Sequence, residues 1–161
     1  MTTGGFTSEQ LLREEEVLAL PSLELADAVE IGEIAIGIAR KESLGVSVEV
    51  RIGDWVVFHT ALPESKPEQP GWIIRKARVI AAKGHSTLYE RVKAEEENID
   101  WHAVNNLPEE THAIHGGGLP LIVAGKGLQG ALLISGLHQV DDHLLGVRVI
   151  TEFLARKGEN E

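Results

Sequence analysis

The chain has 161 residues, 43% of them hydrophobic and 25% charged, which suits one ordinary globular domain and argues against dominant disorder. Its 25 acidic and 15 basic side chains leave a net charge of −10, a field that repels nucleic-acid phosphates and anionic membrane surfaces, so neither partner is expected. The absence of cysteine removes disulfides and thiolate chemistry; with no run of about 18 apolar residues and no signal-like N-terminus, a cytoplasmic location is expected.

Thr7 and Gln10 have capping-box spacing, with Phe6 and Leu11 placed as a hydrophobic staple, so a first helix is predicted to run to Glu16. A short strand, Val17 to Leu20, is expected before Pro21. Ser22 is a candidate cap for a second helix over 23–42, and that helix is apolar almost all round (Leu25, Val29, Ile31, Ile34, Ile36, Ile38), which predicts deep burial. Val46 to Ile52 and Trp55 to Thr60 flank Gly53-Asp54 and read as a tight hairpin.

Pro63, Pro67 and Pro70 mark a loop. A helix is expected over 71–83, stopped by Gly84, and another follows with Thr87 and Glu90 at capping-box spacing. Residues 95–112 read as polar and irregular. Leu119 to Ala124 and Leu128 to Ser135 form a second predicted hairpin, and a last helix over 139–157 is expected to bury Val140, Leu144, Val147, Ile150 and Leu154. The predicted order implies an α/β (α+β) fold with a mainly antiparallel five-stranded sheet flanked by helices. One domain over 1–161 is expected, with flexible ends at 1–6 and 158–161. The clusters Glu14-Glu15-Glu16 and Glu95-Glu96-Glu97 read as solvated helix faces.

Two motifs match known chemistry in letters only. Gly125-Lys126-Gly127-Leu128-Gln129-Gly130 fits the dinucleotide fingerprint, but a strand follows where a helix is needed, so a hairpin turn is the better reading. His115-Gly116-Gly117-Gly118 resembles an esterase oxyanion stretch, yet no Gly-x-Ser-x-Gly elbow is present.

Other residues point to a binding site. Three consecutive glycines before a strand leave backbone N–H groups open to a ligand, or else make a flexible entry loop. His143 falls on the inward face of the last helix, where an imidazole needs a partner or serves as a satisfied core residue. Asp141 and Asp142 stand in its first turn, where carboxylates complement the helix dipole. Arg75, Lys76, Arg78 and Lys83 make the main basic concentration, suited to a carboxylate or phosphate, or to solvent. His85-Ser86 lies at a helix-to-helix corner. His112, His115 and His143 are weak zinc candidates, since HExxH is absent.

Trp72-Ile73-Ile74-Arg75-Lys76, Gly84-His85-Ser86, His115-Gly116-Gly117-Gly118-Leu119-Pro120 and Ser135-Gly136-Leu137-His138-Gln139-Val140-Asp141-Asp142-His143 occur in an order that resembles the haem-degrading domain family, the GlcG/HbpS-like proteins, and its small stand-alone branch. The resemblance covers roughly residues 10–155 and implies a profilin-like sandwich and homo-oligomers. It also implies haem as a cofactor for some relatives. The expected ligand site then comprises Arg75, Lys76, His85, Ser86, His115, Gly116, Gly117, Gly118, Asp142 and His143. Three readings stand side by side: a small-molecule-binding protein that binds or degrades haem, a non-catalytic oligomeric adaptor with Trp55, Trp72 and Trp101 as contact anchors, and a metal-dependent enzyme.

Overall fold

A computed structural model describes residues 3–159, and the expectations for residues 1–2 and 160–161 lie outside the described residues. The elements are α1 (Ser8–Val17), α2 (Leu25–Lys41), β1 (Ser47–Ile52), β2 (Trp55–Ala61), α3 (Gln69–Lys83), α4 (Thr87–Glu97), α5 (Trp101–Asn105), β3 (Gly118–Val123), β4 (Gly127–Ser135) and α6 (Gln139–Glu159). The strands form an antiparallel sheet in the order β2-β1-β4-β3. Strand alternation decides which layer each side chain joins. Val48, Val50, Leu119, Leu121, Leu132 and Ile134 point into the larger core under α2 and α6, while Ala131 and Leu133 point to Ile73, Ala77 and Ile80 of α3.

The sheet therefore has four strands, one fewer than expected. Val17 completes α1, and the chain then touches the sheet edge only at Leu20, through a parallel bridge to Val123. Leu20 N donates to Ile122 O at 2.8 Å and Leu20 O accepts from Ala124 N at 2.9 Å. Pro21 has no N–H to continue the ladder. Both hairpins form: Gly53 turns with φ 57° between Ile52 and Trp55, and Gly125 with φ 79° between β3 and β4. The dinucleotide-like glycines are thus a turn and the start of a strand.

Several boundaries move for physical reasons. Ser22 is not the cap of α2; the cap is Glu24, whose N–H donates to Asp27 Oδ2 at 2.8 Å, and Ser22 Oγ donates to the same oxygen. Ser86, not Thr87, caps α4, its hydroxyl accepting from Tyr89 N at 3.1 Å. The segment predicted to be irregular over 95–112 contains α5, capped by Asp100 and anchored by Trp101, whose indole N–H donates to Glu90 at 2.9 Å. On α2, Leu25 and Val29 face solvent, so its burial is one-sided. On α6 the core stripe is Asp142, His143, Leu145, Gly146, Val149, Ile150 and Phe153, while Leu144 is exposed. Two polar residues in the inner stripe displaced the sequence reading by about one position.

Candidate functional site

The site is assembled chiefly from three separate segments. The β2–α3 loop and the start of α3 supply Lys66, Gln69 and Trp72, and one further turn of α3 supplies Lys76. The glycine loop before β3 supplies His115 and Gly116, and the β4–α6 corner supplies Ser135, Gly136, Leu137, Gln139 and Asp142. Together they line a cavity of about 440 Å³, within the range of small-molecule pockets.

Its floor is an ion pair. Lys76 and Asp142 are each 2% exposed, with Lys76 Nζ 3.5 Å from Asp142 Oδ2. Lys76 also donates to the Ile134 carbonyl at 2.8 Å, and Asp142 accepts from Leu137 N at 2.9 Å and Gly136 N at 3.3 Å. A buried charge requires such partners. Burial lowers the Lys76 ammonium pKa despite the neighbouring carboxylate, and burial pushes Asp142 up to about 6 against the opposing pull of Lys76 and the two amides. Burial thus works against the charged form of both groups, while their mutual attraction and the two amides favour it.

One wall is aromatic. The His115 ring meets the Trp72 indole edge-on at 4.8 Å between centroids, and Arg75 stacks over the same indole at 4.5 Å. Burial, with Arg91 and Lys76 adding to it, lowers the His115 pKa, so the imidazole is held neutral. Gln69, itself buried, is fixed by Ser47 Oγ at 2.9 Å and by donating to Gly45 O at 3.0 Å.

The triple glycine is not an open row of N–H groups. Gly116, Gly117 and Gly118 are all buried. Gly116 N donates to Gln139 Oε1 at 3.2 Å and Gly118 N to Thr87 Oγ1 at 3.0 Å. A Cβ on Gly116 would collide with the Gln139 carbonyl, one on Gly117 would lie 2.7 Å from Lys76 Nζ, and one on Gly118 would lie 2.8 Å from Thr87 Cγ2. The glycines let the loop pass between α3, α4 and α6, which brings His115 to the cavity.

Of the ten expected site residues, Lys76, His115, Gly116 and Asp142 line the cavity. Gly117 and Gly118 pack behind it. Arg75 is spent on Trp72 and on the Glu109 carbonyl, to which its Nε donates at 2.9 Å. His85, Ser86 and His143 turn toward α1 instead. His143 is fully buried with Nε2 2.6 Å from Glu14 Oε1, and its Nδ1 is buried without a partner. His85 Nδ1 lies 2.8 Å from Glu15 Oε2, and Ser86 N donates to Glu15 Oε1 at 2.9 Å. Glu14 and Glu15 are therefore fasteners of α1, not a solvated face. Glu96 similarly accepts from Ser8 N at 2.8 Å.

The zinc candidates are not gathered: His112 pairs with Thr111 beside Trp101, and His143 with Glu14. Among the described residues no group of three or more His, Cys, Asp or Glu is arranged to hold a metal ion. Nor is any described helix long and apolar enough to cross a membrane. Trp72 and Gln139 stand in the sequence only as motif letters, Trp72 also as a contact anchor, and Gln69 gives no signal, because a polar residue on a loop border looks like a solvent-facing one.

Comparison with known proteins bears on the family and the fold. Residues 23–151 match the family model described as haem degrading protein HbpS-like. The chain is 34% identical over 150 residues to a UPF0303 protein of Streptomyces avermitilis, covering 93% of this chain and 92% of the relative. It is 33% identical over 148 residues to a UPF0303 protein of Brucella anthropi, covering 91% and 87%. Among solved structures it is similar to the Ybr137w protein, with a TM-score of 0.84, 24% identity and coverage of 92% and 88%. HbpS follows with a TM-score of 0.65, 18% identity and coverage of 82% and 89%. A PduOC:heme complex has a TM-score of 0.64, 18% identity and coverage of 80% and 94%. With its fold and four-fifths of its length matched in this way, the chain belongs to the HbpS-like haem-degrading protein family.

Proposed function

We propose that this chain binds a small polar molecule in the cavity between the Trp72–His115 wall and the Lys76–Asp142 floor. The observation that carries the reading is Lys76: the residue is 2% exposed, yet it forms part of the cavity lining. An ammonium has three donors, and Lys76 uses two, on Ile134 and Asp142. The third is free to meet an oxygen of a ligand. Trp72 supplies a flat apolar surface, and Gln69 and Ser135 supply further polar contacts. Propionate and pyruvate serve as probes, with Trp72 emission followed in a Trp55→Phe/Trp101→Phe background. Saturable quenching that is lost in Lys76→Met supports the reading; a flat response to both probes counts against it.

Haem was tested against the same lining. The family description and the relative solved as a heme complex favour it, and His115 is a neutral, half-buried imidazole at the cavity. A porphyrin face needs broad apolar walls, however, and here Glu64, Lys66, Glu68, Gln69, Gln139 and Asp142 line the cavity, with Trp72 and Leu137 as its only large apolar side chains. The lining does not fit a porphyrin. A haemin titration with no Soret shift, or one unchanged in His115→Ala, is expected; a shift abolished by His115→Ala reverses this judgement.

Self-association is a second reading, carried by a different observation. Trp55 is 60% exposed on β2, an edge strand, beside exposed Val56 and near exposed Leu25 and Val29 of α2. Exposed apolar groups on a free edge suit contact with another copy. Of the three expected anchors, Trp55 alone has this exposure, since Trp101 is buried and Trp72 lines the cavity. Light scattering of the wild type against Trp55→Ser tests it: a shared monomeric mass excludes this edge as an interface.

A further inference from the structure

We propose that Lys76 forms an imine with a small carbonyl compound, an aldehyde or ketone, held in the cavity, with Asp142 relaying the protons. This deepens the binding reading above and rests on it. Two observations converge on the pair. Lys76 lines the cavity although the residue is 2% exposed, so a ligand held there meets this side chain without displacing α3. Asp142 Oδ2 stands 3.5 Å from that nitrogen and is itself fixed by two backbone amides at the start of α6.

The chemistry requires an unprotonated amine and an acid beside it. Burial works on both groups in that direction, lowering the Lys76 pKa and raising that of Asp142 to about 6. The nitrogen lone pair attacks the carbonyl carbon, forming the C–N bond as the C=O π bond breaks, and the oxygen takes the Asp142 proton. The Asp142 carboxylate then accepts a proton from the nitrogen, giving the neutral carbinolamine. Asp142 returns that proton to the hydroxyl, the C–O bond breaks and water leaves, and the resulting C=N bond is a protonated imine. Amine, carbonyl and the Asp142 proton give the protonated imine, water and the Asp142 carboxylate, with no oxidant or reductant. His115 and Trp72 would cover the opposite side of so small a ligand.

Reductive trapping reads this directly. The full chain is incubated with pyruvate, and separately with acetaldehyde, in the presence of cyanoborohydride, and adducts are located by peptide mass spectrometry. Lys83 and Lys126, both exposed, are internal references. Labelling of Lys76 at least about tenfold faster than these two, slowed about 100-fold in Asp142→Asn, is the expected result. Labelling of Lys76 no faster than the references, or an unchanged rate in Asp142→Asn, overturns the imine assignment. Propionate, which has a carboxylate and no reactive carbonyl, separates the two levels. If it still shifts the cavity amides in an NMR titration while trapping fails, the binding reading survives and the imine step falls; if neither responds, both fall.

Discussion

Gly117 and Lys76 occupy space that only the absence of a side chain makes compatible: a Cβ on Gly117 would stand 2.7 Å from Lys76 Nζ and would overlap the Ile134 carbonyl oxygen that Lys76 bonds. The glycine also has φ +124°, a conformation L side chains rarely adopt. Gly117→Ala is therefore expected to cost about 2–4 kcal/mol, combining overpacking with backbone strain. Chemical denaturation checks this, and a loss under about 0.5 kcal/mol, the level of a neutral surface change, would contradict it.

Asp142 makes a prediction about pH. Its folded pKa of about 6 lies above the ordinary 3.8, so between those values the folded state binds more protons than the unfolded one. Stability from this group is greatest below the unfolded value and declines as pH rises towards 6, with a slope of at most about 1.4 kcal/mol per pH unit. Asp27 and Glu42 have lowered pKa values and act in the opposite sense at more acidic pH. The difference between wild type and Asp142→Asn isolates the Asp142 contribution. A stability difference that stays constant from pH 4 to pH 7 would exclude the raised pKa.

The α1 helix is fastened through Glu14 to His143 and through Glu15 to His85. Glu14→Ala strands a second nitrogen on a fully buried ring whose Nδ1 already lacks a partner, and it is expected to cost about 1–3 kcal/mol. The double change Glu14→Leu/His143→Leu removes both polar partners and should recover most of that loss. Glu15→Ala, facing a His85 that is 38% exposed, should cost less. Equal losses for Glu14→Ala and Glu15→Ala in denaturant titrations would contradict the assignment.

The arrangement of motifs explains what the sequence revealed and what it hid. Hairpin turns at Gly53 and Gly125, the Thr7 cap and the Gly84 stop each depend on local backbone preferences, so they could be read from short windows. The missing strand at 17–20 depended on tertiary competition, because Leu20 reached the sheet for a single bridge while Val17 stayed in α1. His115, Lys76 and Asp142 were recognised as chemistry-bearing residues, but their convergence needs three elements packed around a glycine loop. His85 and His143 carry the same chemistry and face α1 instead, a distinction set by where Glu14 and Glu15 fall on that helix. Residue type announced polar function; only packing assigned it to a cavity or to a fastening.

The central claim is that a small ligand is held over the Lys76–Asp142 floor. Titration of ¹⁵N-labelled protein with propionate measures it most directly. Saturable, concerted shifts of the Gly116, Gly136 and Leu137 amides and the Trp72 indole N–H are expected, with the His85 and Tyr89 amides unmoved. Shifts confined to the α1 side, or none near Lys76 at saturating probe, would contradict it.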